Sequence, residues 1–228
     1  MMGFRRNLTP FEIAGQAREL ILEELGDKPT NIVFMGMGEP LLNWESVDVA
    51  LSILNSPDGL GIGARHLTVS TVGIVPGMRK LAERPEQFRL AISLHAANPA
   101  RRLPLMPIEK KYRLDDVLEA AATFRKRITF EYVLIAGKND SETDAAELAT
   151  LARRMGAMVN LLPLHPGGAP GLTPTPPAKI REFAEALRVR GVEAVVRRSR
   201  GLDISAACGQ LKIEVEVQGR QRRQPAAQ

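Results

Sequence analysis

Five short stretches group the residue types that could do chemistry: Met35-Gly36-Met37-Gly38-Glu39-Pro40, Ser70-Thr71-Val72-Gly73, Ser93-Leu94-His95, Gly137-Lys138-Asn139-Asp140 and Pro163-Leu164-His165-Pro166. Small residues there let the backbone approach a ligand, while the Ser, His and Glu side chains supply hydrogen bonds. Glu39 precedes Pro40 and is held extended, which fixes its backbone carbonyl for a cationic amine. A sixth stretch, Arg200 to Leu211, sets the single cysteine, Cys208, among small residues beside Gly209, where a bulky substrate can reach its sulfur. Each feature has a plainer counterpart. Gly36 and Gly38 also suit a positive-φ turn, His95 a hydrogen-bonded structural histidine, and Cys208 a buried inert thiol. His66, at the start of a strand, reads as structural. Three dispersed histidines and one cysteine match no zinc spacing, so no metal site is expected. There is no G-x-S-x-G elbow either.

The elements that must position these residues follow from the apolar pattern. Strands are predicted at Asn31–Met35, His66–Thr71, Phe88–Leu94, Ile128–Ile135 and Met158–Leu162, with a short one around Val192–Val196. Thr9-Pro10-Phe11-Glu12 is a capping box with proline at the first helical position, and Ile13, Ala17, Leu20, Ile21 and Leu25 continue one stripe. Further stripes are Val47, Ala50, Leu51 and Leu54; Ala145, Leu148, Leu151, Ala152 and Met155; and Ile180, Phe183, Ala184 and Leu187, closed by Gly191. Strands separated by helices imply βαβ units and a mainly parallel sheet, an α/β fold. Such folds place their chemistry at the carboxyl ends of the strands, where all five stretches lie.

Composition narrows the class. The chain has 228 residues, 44% hydrophobic and 25% charged, which excludes a disordered, collagen-like or disulfide-stapled chain. No run of about 18 apolar residues is present, so no membrane partner is expected, and the N-terminus lacks a secretory signal pattern. A cytoplasmic location is the expectation. Nine basic and four acidic residues lie between Arg188 and Arg223, a local excess equal to the whole net charge of +5. A basic end of this kind suits RNA or is a solvated tail. Residues 1–217 read as one domain and 218–228 as a disordered basic tail.

Eight segments occurring in one order, GFRRNLTPFEI, FMGMGEPLLN, STVGIVPG, AISLHAAN, LMPIEKKY, NDSETDAAELA, VNLLPLHP and RGLDISAACGQL, resemble a known family. They are similar to the radical-SAM adenine-C2 methyltransferases of 23S ribosomal RNA and, in some members, of a tRNA anticodon-loop adenine. The resemblance covers residues 2 to 211 and implies a partial (β/α)6 barrel. It also implies that Gly38 and Glu39 hold the methionine end of S-adenosylmethionine, and that Ser70, Ser93, Leu94 and His95 line the rest. Cys208 would be methylated on sulfur. A second S-adenosylmethionine, cleaved at a [4Fe–4S] cluster, would then yield the radical that activates that methyl group for attack on adenine C2. An electron donor such as flavodoxin is a further implied partner.

The chain departs from the family pattern twice. His165 stands where the family has Asn, and an imidazole there can still donate to or accept from the cofactor. The family's C-x-x-x-C-x-x-C motif precedes GFRRNLT, whereas this chain begins Met1-Met2-Gly3. The chain therefore reads as N-terminally truncated, lacking the first barrel strand and the cluster loop, and as inactive alone. Three alternatives stand beside that reading. One is a cluster-free binder of S-adenosylmethionine or RNA, and another is a relative that methylates adenine C8. The third, a barrel lyase or aldolase, would need a Schiff-base lysine or a metal; the lysine nearest the rim, Lys138, sits on a loop.

Overall fold

Short runs such as Ile32-Val33-Phe34 and Leu67-Thr68-Val69 favour extended backbone, and the capped segments between them favour helix. A computed structural model describes residues 4–22, 29–35, 38–165 and 171–197 of the chain. Six strands form one sheet: β1 (Ile32–Phe34), β2 (Leu67–Thr71), β3 (Arg89–Ser93), β4 (Thr129–Leu134), β5 (Met158–Pro163) and β6 (Ala194–Val196). All pairings are parallel, and the spatial order follows the chain, β1-β2-β3-β4-β5-β6. This is the α/β architecture that the alternating pattern predicts, and each predicted strand is present within a few residues. His66 falls in a short 3-10 turn just before β2 rather than within the strand, and its Nδ1 lies 3.1 Å from Asn31 Oδ1.

Among the described residues seven α-helices accompany the strands: α1 (Pro10–Leu20), which precedes β1, and α2 (Trp44–Asn55), α3 (Val75–Ala82), α4 (Pro99–Leu105), α5 (Leu114–Ala122), α6 (Glu142–Met155) and α7 (Pro177–Val189) between strands. The capping box of α1 forms as expected. Thr9 Oγ1 accepts from the Glu12 N–H, and the Glu12 carboxylate accepts from the Thr9 N–H at 2.8 Å. Ser141 and Asp144 form a second box on α6, which ends at Gly156 in the left-handed conformation. The stripes picked out above do not include α3, α4 and α5, which are short; Pro76 and Pro99 fall in the first turns of α3 and α4, Pro104 lies inside α4, and α5 has no proline.

One core unites the helices with one face of the sheet. Leu67 and Val69, Leu90 and Ile92, Phe130 and Tyr132, and Val159 and Leu161 all join it. Since side chains alternate along a strand, Thr68, Ser70, Ala91, Ser93, Glu131, Asn160 and Val195 occupy the opposite face. The helices therefore cover one side only, and the other side is an inner face rich in polar groups. The sheet curls toward that face: just beyond β6, an Arg197 guanidinium N–H donates to Met35 Sδ, just beyond β1, at 3.3 Å. Among the described residues β1 pairs only with β2, and Val33 is 49% exposed.

Candidate functional site

The turn after β1 sets the first corner of the site. Gly38 has φ +114°, a conformation open to glycine, and a Cβ built there meets nothing within 4 Å. Glu39 caps the 3-10 turn Pro40–Asn43. Its carboxylate accepts from the Leu41 N–H at 3.0 Å and the Val72 N–H at 2.8 Å, tying the ends of β1 and β2 together. Burial raises the Glu39 pKa, against the opposing pull of those N–H groups. Its backbone carbonyl already accepts from the Leu42 N–H at 3.1 Å, which leaves the second lone pair for an amine.

Across the inner face runs a polar row. Register places Ser93 of β3 beside Glu131 of β4, and Glu131 beside Asn160 of β5. Ser70 of β2 sits on the same face, 6% exposed. No hydrogen bond joins the Ser70 or Ser93 hydroxyl to a partner among the described residues. Asn160 Nδ2 donates to both Glu131 oxygens, at 3.0 and 3.2 Å. At the end of β3, His95 adopts φ +58°, unusual for a residue other than glycine. Its Nδ1 accepts from the Val133 N–H at 3.1 Å. That bond leaves Nε2–H as the donor the ring can offer a ligand.

The structure thus brings Gly38, Glu39, Ser70, Ser93 and His95 to one end and one face of the sheet. Leu94 is placed differently. Its side chain is wholly buried in the helix-side core, its N–H donates to the Glu131 carbonyl, and its carbonyl accepts from Arg102 Nε. His165 follows β5 at the same end. Cys208, Gly36 and the 218–228 tail lie outside the described residues. Lys138 is exposed on the turn after β4.

Two supports escape the sequence reading. Asn139, fully buried, donates through Nδ2 to the carbonyls of His95 (2.8 Å) and Val133 (2.7 Å), and its Oδ1 accepts from the Ile135 N–H at 2.8 Å. It thereby holds the strained His95 backbone. Arg102 of α4, also fully buried, donates to the Val72 carbonyl at 2.8 Å and to Leu94, and pairs with Glu109 at 2.5 Å. Glu109 in turn accepts from the Leu114 N–H at the start of α5, at 2.9 Å. Glu131 is a third residue the sequence reading passes over, and it does carry a signal: an acid between Phe130 and Tyr132 in an otherwise apolar strand.

The profile of the radical SAM superfamily matches residues 2–149, well over half of the chain. The chain belongs to the radical SAM superfamily. Among curated proteins it is 61% identical over 213 residues to a Gemmatimonas aurantiaca protein named probable dual-specificity RNA methyltransferase RlmN, covering 93% of this chain and 59% of that one. A Moorella thermoacetica protein of the same name is 47% identical over 219 residues, covering 92% and 62%. A radical SAM methyltransferase structure from Sphaerobacter thermophilus superposes with a TM-score of 0.85 at 45% identity, over 92% of this chain and 63% of that one. The chain spans about three-fifths of the length of the curated relatives it matches.

The superfamily implies S-adenosylmethionine and a [4Fe–4S] cluster. The inner face fits the first: among the described residues buried Ser70 has no hydrogen-bond partner, Gly38 leaves open space, and Glu131 is a buried carboxyl with no cation in contact. The cluster does not fit the residues present. Three thiolates are needed to hold it, and this radical SAM chain has one cysteine. Among the described residues no group of three His, Cys, Asp or Glu could hold a metal ion.

Burial, reinforced by the Arg102 charge, lowers the His95 pKa from 6.5 to about 4. The ring is neutral at pH 7 and must gain a proton when the chain unfolds in mild acid. Its folded pKa is depressed, so stability falls as pH drops from 6.5 toward 4, by roughly 3 kcal/mol in all. Urea unfolding at stepped pH checks this. A His95→Asn variant, whose side chain tolerates the left-handed backbone, should flatten that part of the profile.

Proposed function

We propose that this chain is the cofactor-holding barrel of an RNA methyltransferase that modifies adenine C2 in 23S ribosomal RNA and in tRNA, working in the cytoplasm. The buried polar row beneath the Gly38–Glu39 corner carries this reading, because its Ser70 and Ser93 hydroxyls have no hydrogen-bond partner among the described residues. The relatives' names, dual-specificity RNA methyltransferase, support the RNA substrate. When bound, S-adenosylmethionine supplies the methyl group. The Glu39 carbonyl takes the ammonium end of its methionine through the second lone pair. Ser70 and Ser93 meet its hydroxyls, and His95 donates from Nε2–H. Leu94 contributes only through the turn of its main chain, and His165 borders the ligand from the end of β5. Cys208, which follows β6 in the sequence, is the methyl-accepting sulfur.

The 228-residue polypeptide alone binds cofactor but does not methylate RNA, since it lacks the three thiolates. Titration calorimetry with S-adenosylmethionine tests the first half, and absence of binding rejects it. Anaerobic treatment with iron and sulfide, followed by assay of 23S rRNA for 2-methyladenine, tests the second. The expected yield equals that of a Cys208→Ala control. Yield above the control overturns the inactivity, and 8-methyladenine would point to the sister specificity.

A further inference from the structure

Four acidic side chains are buried among the described residues: Glu109, Glu131, Asp140 and Asp144. Three have a cation in contact. Glu109 pairs with Arg102, Asp140 with Lys179 at 2.9 Å, and Asp144 with Arg101. Glu131, 5% exposed, has among the described residues only the neutral amide of Asn160 in contact. Arg197 acts on it from beyond contact range while donating to Met35 Sδ. A buried carboxylate with no cation in contact is held at considerable expense in desolvation, so it either takes a proton or awaits a cation. Burial accordingly raises its pKa.

The position of Glu131 suggests which cation. Register aligns Thr71 with Ile92 and Ser93 with Glu131, so Glu131 lies level with Val72, whose N–H binds the Glu39 carboxylate. The two acids stand at the same height, with Val72 and Glu131 two strand spacings, about 10 Å, apart. A methionine ammonium at the Glu39 carbonyl directs the sulfur of the same molecule, a few bonds on, toward β3 and β4. We propose that Glu131 is the specificity residue that favours the positively charged sulfonium of S-adenosylmethionine over the neutral thioether of S-adenosylhomocysteine. Both compounds share the ammonium, carboxylate, ribose and adenine, so contacts to those groups do not make this distinction by charge. Discharged cofactor would then leave the site as its positive charge is lost.

This inference rests on the cofactor reading above, and one experiment separates the two. Calorimetric titration of the 228-residue chain with each compound should show S-adenosylmethionine bound about tenfold more tightly. Glu131→Gln, which keeps the Asn160 contact without the charge, should bring the two affinities to within about twofold, mainly by weakening S-adenosylmethionine. Glu131→Asp should retain the preference. Thermal unfolding monitors whether each variant folds, and the wild-type preference is a test that needs neither. Equal affinities in the wild type, or equal weakening of both ligands in Glu131→Gln, overturns the proposal and makes Glu131 a structural partner of Asn160. If neither compound binds the wild type, the cofactor reading falls and takes this inference with it.

Discussion

Replacing Arg102 with alanine should remove about 3–5 kcal/mol of stability, a large part of what a domain of this size possesses. The loss comes less from the attraction that disappears than from what stays behind. Glu109 would remain a buried carboxylate, and the carbonyls of Val72 and Leu94 would lose their donor. These groups sit at the ends of β2 and β3, so the damage reaches the rim directly. Chemical denaturation at pH 7 measures the effect. Removing both charges, as Arg102→Met with Glu109→Leu, should recover much of the loss, because a buried ion pair gains little over well-packed apolar groups. If the single variant unfolds within about 1 kcal/mol of wild type, the pair is not the clamp described.

Asn139→Asp should be nearly as severe although it changes one atom type. Nδ2 now donates to two carbonyls; a carboxylate oxygen there would face both with no proton to offer. The variant is expected to lose roughly 3 kcal/mol or more, as unpaired buried polar groups predict. The pH dependence identifies the cause. The introduced carboxyl would have a folded pKa raised above its unfolded value of about 3.9, because only its protonated form can donate. Stability is then retained at low pH and lost as pH rises through the folded pKa. Denaturation at pH 5 and pH 8 should show the larger deficit at pH 8. A deficit independent of pH would mean that the amide holds shape rather than hydrogen bonds.

The six strands are legible in the sequence because each is an apolar run that ends in small or polar residues. The helices α1, α2, α6 and α7 are legible because each has a cap or a clear apolar stripe. Pro99 and Pro104 break the pattern in α4, whereas α3 and α5 are only eight and nine residues long and give the pattern little room to repeat. Gly38, Glu39, Ser70, Ser93 and His95 stand out because unusual residue types cluster after strands. Arg102 does not: in a proline-rich segment beside Arg101, an arginine looks solvated until the fold places it under the rim. Asn139 is visible only as part of a polar loop, since its three bonds reach back along β4 and across to the residue after β3. Leu94 shows the opposite case, a residue adjacent in sequence to two site residues whose side chain alternation turns it away from them.

Since each strand from β2 to β6 pairs with the one preceding it in the chain, the sheet can grow in the direction of synthesis. Each newly emerged βα unit finds its edge already laid down by its predecessor, and no strand waits for a distant segment to arrive. On the ribosome, the Gly38–Glu39 corner and the β2 hydroxyls would be in place early. The carboxylate of β4 would be enclosed only as β5 docks and delivers its amide.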